Sequence, residues 1–236
     1  RHWIASQMDA IESFSIYTDM KLWRNIHWNI GFNTANVTPL YNYQFINNGL
    51  SITNYINSEI NVGVGYHVKE QLVNTFGVVT RLPSDAPVFN LIYSRGLKGT
   101  FEGDFNYNKF KITLDHSFTT KGLGKTTYRL DLGYIDTALP YGLLFTGEGS
   151  LDKNIPFVVK HYFQTVTPYE FLSDRYANIF TTHNFGRLLN NKGLFQPDVL
   201  LYNNLGIGSL EHASNHLEIA FKTKDNLFLE TGLELQ

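Results

Sequence analysis

Between residues 55 and 68 the chain reads YINSEINVGVGYHV, and two kinds of side chain alternate along it. Ile56, Ser58, Ile60, Val62, Val64, Tyr66 and Val68 take the even positions; Asn57, Glu59, Asn61, Gly63, Gly65 and His67 take the odd ones. A period of two marks an extended strand, because successive side chains point to opposite faces. One face is therefore apolar and the other polar or bare. The run is far longer than a usual strand of roughly five or six residues. It also exceeds the roughly nine to eleven tilted residues that cross a bilayer.

The same period recurs from end to end. Phe14, Ile16, Thr18, Met20 and Leu22 alternate with Ser15, Tyr17, Asp19 and Lys21, and Ile26, Trp28, Ile30 and Phe32 with His27, Asn29, Gly31 and Asn33. Phe110, Ile112 and Leu114 are set between Lys109, Lys111, Thr113 and Asp115, and Tyr128, Leu130, Leu132 and Tyr134 between Thr127, Arg129, Asp131 and Gly133. Leu217, Ile219 and Phe221 alternate with Glu218, Ala220 and Lys222; Leu229, Leu233 and Leu235 do so with Glu230, Gly232 and Glu234. Weaker strands are expected near 41–46, 88–97, 141–146, 157–163, 175–185 and 196–208. Turn residues separate them at Asn47-Asn48-Gly49, Pro83-Ser84-Asp85, Lys121 to Gly124, Gly147 to Asn154 and Asn190 to Gly193. The spacing predicts about a dozen strands in a meander of hairpins, and no helix.

Bulk properties narrow the class. No stretch of the 236 residues approaches the ~18 consecutive apolar residues of a membrane helix. A barrel is not excluded by that, since its strands bury only every second residue in lipid. Charged residues make up 17%, below the roughly 25% of a typical soluble domain, while the chain holds 18 Phe and 14 Tyr. A net charge of −2 provides no basic face for nucleic acid. With no cysteine there is no disulfide framework and no thiolate metal site.

The fold class turns on which face is inside. In a soluble sandwich or barrel the apolar face is the core; in a membrane barrel it meets lipid and the polar face lines the interior. The polar face here carries Gly, Asn and Ser as often as Lys and Glu, and Gly and Asn are poor strand formers on a solvated sheet. Trp23, Trp28, Tyr55, Tyr66, Phe118 and Tyr134 fall near strand ends, where interfacial aromatics would sit. The expectation is an all-β chain: one antiparallel up-and-down transmembrane β-barrel domain over residues 1–236. Ile60, Val62 and Val64 would touch lipid; Asn57, Glu59 and His67 would look inward. Both ends read as cuts, because RHWIASQM is no signal peptide and ETGLELQ stops within an alternating run.

Three stretches carry a family resemblance: INSEINVGVGYHVKEQLVNTFG (56–77), PVFNLIYSRGLKGTFEGDFNYNKFKITLDHSF (87–118) and FQTVTPYEFLSDRYANIFTTHNFGRLL (163–189). They resemble the barrel of a Bacteroidetes outer-membrane family of unknown function, in which a carboxypeptidase-regulatory-like domain precedes the barrel. The most specific block is Glu170-Phe171-Leu172-Ser173-Asp174-Arg175-Tyr176. The resemblance implies a cell outer-membrane location and a barrel that is not an enzyme. The family's regulatory-like domain is missing here, and so is the aromatic carboxy-terminal end usual in such barrels. The barrel is also distantly similar to those that insert and export other outer-membrane proteins and hold an arginine-bearing loop inside. On that likeness Asp174 and Arg175 would face the interior.

Motifs for chemistry are weak. Gly122-Leu123-Gly124-Lys125-Thr126-Thr127 imitates a phosphate-binding loop, but Thr119 stands where the first glycine is needed and a strand follows. His212, His216 and Glu218 have zinc-like spacing only on a helix, and their context reads as a solvated loop. His161 and His183 read as wall residues. Glu59, Asp115, Asp131 and Glu218 with Lys109, Lys111 and Arg129 read as an inward lattice of mixed charge. Ser150 and Ser173 lack a recognisable triad. No residue is thus assigned to catalysis, a cofactor or a metal. The expected partners are the outer-membrane bilayer and other outer-membrane proteins, not nucleic acid. The expected role is a transport pore or a component of an outer-membrane complex. The alternatives are a barrel that assists insertion or export, and a soluble all-β binding module.

Overall fold

The computed structural model describes residues 8–82, 84–147, 149, 160–186 and 197–235. In chain order the strands are β1 (Asp9–Trp23), β2 (Ile26–Pro39), the short β3 (Gln44–Asn47) and β4 (Leu50–Ile52), and β5 (Tyr55–His67). A hairpin of β6 (Leu72–Thr75) and β7 (Val78–Arg81) follows, then β8 (Val88–Gly96), β9 (Asn108–Thr120) and β10 (Gly124–Ile135). After the two-residue β11 (Phe145–Thr146) and β12 (Leu172–Ser173) come β13 (Arg175–Asn184), β14 (Val199–Ser209), the two-residue β15 (His216–Leu217) and β16 (Lys224–Leu235). Three short 3₁₀ turns are the only helical elements among the described residues.

One 9-stranded sheet runs in the order β1-β2-β5-β8-β9-β10-β13-β14-β16, every neighbouring pair antiparallel. The all-β, up-and-down architecture is thus the one the two-residue period predicts. Closure is not seen. Among the described residues β1 and β16 are free edges, and the sheet is open.

Register turns the sequence alternation into two surfaces. Met20, Trp28, Val64, Leu91, Ile112, Leu132, Ala177 and Ile207 are successive cross-strand partners, so one apolar row crosses eight strands on the outer face. The next residue along each strand gives Lys21, His27, Gly65, Asn90, Thr113, Asp131, Asn178 and Gly206 on the inner face. The burial is the reverse of a soluble sheet: Ile60 is 39% exposed, whereas Asn57 is 3% and His67 7% exposed.

The inner face is covered at one end by long connections. His216 in β15 pairs with Phe45 in β3, joining the connection after β14 to the connection after β2. In a flat sheet those two strands would be six steps of roughly 4.8 Å apart, or about 29 Å. The sheet is therefore coiled around its polar side, as long twisted sheets are. At this end a core of Tyr43, Phe45, Tyr55, Phe105, Tyr107, Leu139, Tyr141, Leu144 and Leu172 fills the space. A second cluster, Phe163, Val166, Phe171 and Phe180, lays residues 160–174 against the inner face of β13 and β16.

Several expectations are corrected here. The 217–222 run is no long strand: His216–Leu217 pairs with β3, Lys222 forms an isolated bridge with Phe171, and between them Glu218 has a positive φ of 60° that breaks the extended chain. Residues 141–146 form a 3₁₀ turn and the short β11, and 160–163 are no regular strand. Pairing there is limited to the two-residue β11 with β12 and to a bridge between Phe163 and Gly149, and Tyr141, Leu144 and Phe163 pack in the cores. Tyr55 lies in that core rather than at an outer girdle, whereas Trp23, Tyr66, Phe118 and Tyr134 are exposed. Residues 157–159, Ser150 and the turns at 150–154 and 190–193 lie outside the described residues.

Candidate functional site in the polar interior

Glycines create the room that the interior uses. A Cβ on Gly206 would lie 2.7 Å from both Asn178 Oδ1 and Phe163 Cζ, and one on Gly65 would lie 3.0 Å from Asn90 Oδ1 and 3.1 Å from His67 Nε2. Glycine on the inner face therefore admits larger polar groups from the next strand. That explains an alternation of Gly with Asn and His that a solvated sheet would not need.

Several groups of polar residues occupy this face. Near the covered end, Tyr107 Oη donates to Glu59 Oε2 at 2.5 Å, and Asn61 Nδ2 donates to Glu59 Oε1 at 3.1 Å. In the middle lies a cavity of about 260 Å³ lined by Lys109, Lys111, Lys224, Ser94, Tyr176 and Asn178, among others. Its cations are held in place. Lys109 Nζ donates to the Leu143 carbonyl at 2.8 Å, Lys111 lies 3.7 Å from Asp131, and Lys224 Nζ donates to Asn178 Oδ1 at 3.1 Å. Lys224 also sits 4.8 Å from the centre of the Phe163 ring. Farther along, Arg129 makes a bidentate pair with Asp115, at 2.6 and 2.8 Å. Glu59, Asp115 and Asp131 thus face inward and form the mixed-charge lattice that the sequence predicts. Glu218 does not: it is exposed on the connection after β14.

At the opposite end, Glu70 folds back from the connection after β5, and its carboxylate is fully buried. His27 Nε2 lies 2.9 Å from Glu70 Oε1 and 3.1 Å from Oε2; Lys21 Nζ pairs with Oε2, and His67 Nδ1 is 3.5 Å from Oε1. The two imidazole rings stack, with centroids 4.6 Å apart. Their two nitrogens and a carboxylate oxygen lie within 4.8 Å of one another. Sequence reading missed this group because its members are scattered. The signal was the register: His27 pairs with Gly65, and His67 is the next residue along β5 on that face.

The other sequence candidates separate. His212 is exposed, while His216 is buried and its Nδ1 is hydrogen-bonded to Tyr43 Oη at 2.8 Å. The stretch is a connection, as expected, but His216 belongs to the core and not to solvent. His183 is on β13 as a wall residue; His161 is in a turn, with its ring edge toward Phe180. Gly122 to Thr127 form the β9–β10 hairpin and the start of β10, with Gly122 at a φ of 80°.

Arg175 overturns the interior-arginine expectation. It opens β13 on the face opposite Tyr176, whose hydroxyl donates to inward-facing Asp131 at 2.9 Å. Its guanidinium pairs outside with Glu211 and with Asp174 Oδ1. The Glu170–Tyr176 block is instead a seam. Phe171 and Leu172 enter the two cores, while Glu170 accepts from Thr167 N at 2.9 Å and from Lys222 Nζ at 2.8 Å. A scan against protein-family models finds no match to this chain, and a search of curated proteins finds none either.

Proposed function

We propose that the chain is wall and internal plug of an outer-membrane β-barrel, a non-enzymatic component of a transport or protein complex in that membrane. The observation that carries this reading is the inverted polarity of the sheet. Apolar rows continuous across eight strands face outward, and rows of Lys, His, Asn, Asp, Thr and Gly face the interior. In water such an outer face would be a large unsatisfied apolar surface; in lipid it is the stable arrangement.

Residues 136–147 and 160–174 lie across the inner face, which favours a plugged barrel component over a permanently open pore. With Arg175 on the outside, nothing specific favours the insertion or export role. Fractionation tests the membrane reading. The chain, expressed with an export signal, should remain in the membrane pellet through carbonate and urea washes and leave it only with detergent. Recovery in plain buffer as a folded species would sink the proposal and favour a soluble binding module.

A further inference from the structure

We infer that His27, His67 and Glu70 form a binding site for one divalent transition-metal ion, with Zn²⁺ as the simplest occupant. The donor set is two imidazole nitrogens and one carboxylate oxygen, with no thiolate; this suits Zn²⁺ and related borderline ions. Ligand atoms around a tetrahedral ion, each about 2.0–2.1 Å from it, are about 3.3 Å apart. Here the two nitrogen–oxygen separations to Glu70 Oε1 are 2.9 and 3.5 Å, and all three donor atoms lie within 4.8 Å, so an ion would draw the set together. Without an ion, one of the protons in this network lies between His27 Nε2 and the carboxylate. To bind an ion both rings are neutral, with the His27 proton shifted to Nδ1 and the His67 proton on Nε2, so that His27 Nε2, His67 Nδ1 and Glu70 Oε1 each give a lone pair.

Two further features favour a built site over a chance cluster. Lys21 holds the other carboxylate oxygen, Oε2, and fixes the orientation of Glu70 much as outer partners of metal ligands do. A cavity of about 440 Å³ is lined by His27, His67, Lys21, Asn29 and Asn90 among others, so open space reaches both imidazoles. Gly65 matters here too, because a side chain there would meet the His67 ring.

The inference does not rest on the membrane reading, since the measurement is made on the folded chain from whichever fraction holds it. Calorimetric titration with Zn²⁺ should give one ion per chain. Cu²⁺ loaded in its place should show electron-paramagnetic hyperfine coupling to two imidazole nitrogens. His27→Ala and His67→Ala should each weaken Zn²⁺ binding by at least about tenfold, while Lys21→Met should keep one-to-one stoichiometry. Absence of Zn²⁺ binding to the wild-type chain overturns the proposal, as does a His27→Ala/His67→Ala double variant that binds as tightly as wild type. If a histidine variant does not fold, the copper spectrum of the wild-type chain decides: two nitrogens support the site, and none or one rejects it.

Discussion

At the scale of single residues, the decisive choice in this chain is glycine on the inner face. Gly96 ends β8, and a methyl group built there overlaps the ring of Tyr107, which is fully buried and hydrogen-bonded to Glu59. Gly232 in β16 has nothing within 4 Å of the same position. Gly96→Ala should therefore cost about 1–3 kcal/mol through overpacking, while Gly232→Ala should change stability by less than about 0.5 kcal/mol. Urea unfolding of the two variants against wild type checks the contrast, and equal effects would show that the Tyr107 contact does not constrain Gly96. Part of this was legible beforehand. The placement of Gly63, Gly65 and Gly133 on the polar face follows from the period of two. Which neighbour fills each gap depends on cross-strand register, which hydrophobic alternation alone does not fix.

At the scale of elements, the long strands declared themselves and the connections did not. In β2, β5, β9 and β10 the two faces meet different environments over their whole length, so sequence and side-chain direction stay in phase. The connections at the covered end bury residues in clusters set by contacts distant in sequence, and 217–222 mimics a strand for that reason. The His216 contact is an example. Tyr43 Oη accepts from the Tyr141 N–H at 2.8 Å and lies 2.8 Å from His216 Nδ1, in a buried site that disfavours a charged imidazole. Burial, with a smaller contribution from nearby His212, pushes the His216 pKa down to about 4. An unfolded histidine titrates near 6.5. Between these values the unfolded chain binds a proton that the folded one does not, so stability falls as pH drops from about 6.5 toward 4. The loss from pH 7 to pH 5 should be about 2 kcal/mol. His216→Gln removes the titrating group, keeps a polar partner for Tyr43, and should flatten the slope in that window. Thermal unfolding of both proteins across the range measures the difference, and identical slopes would remove His216 as its source.

At the scale of the whole molecule, the question is what medium the outer face meets. The register makes that face a continuous surface: Trp28, Val64, Leu91, Ile112 and Leu132 lie side by side across five strands, with further apolar rows two residues away on either side. Water and lipid place different demands on it. In water, Ile112, already 42% exposed, should accept lysine with a change within about 0.5 kcal/mol. In a bilayer a lysine near mid-depth costs about 2–4 kcal/mol, and one near the interface about 0–1. Ile112 lies in the middle of the apolar rows, and Phe118 lies toward the β9–β10 turn on the same face of the same strand. Ile112→Lys should therefore destabilise the liposome-reconstituted chain by about 2–4 kcal/mol, and Phe118→Lys by no more than about 1. Urea unfolding in liposomes, followed by tryptophan fluorescence, gives both values. Depth dependence is the signature of lipid, because water has no depth; two equal and small effects would mean that the apolar face meets something other than a bilayer.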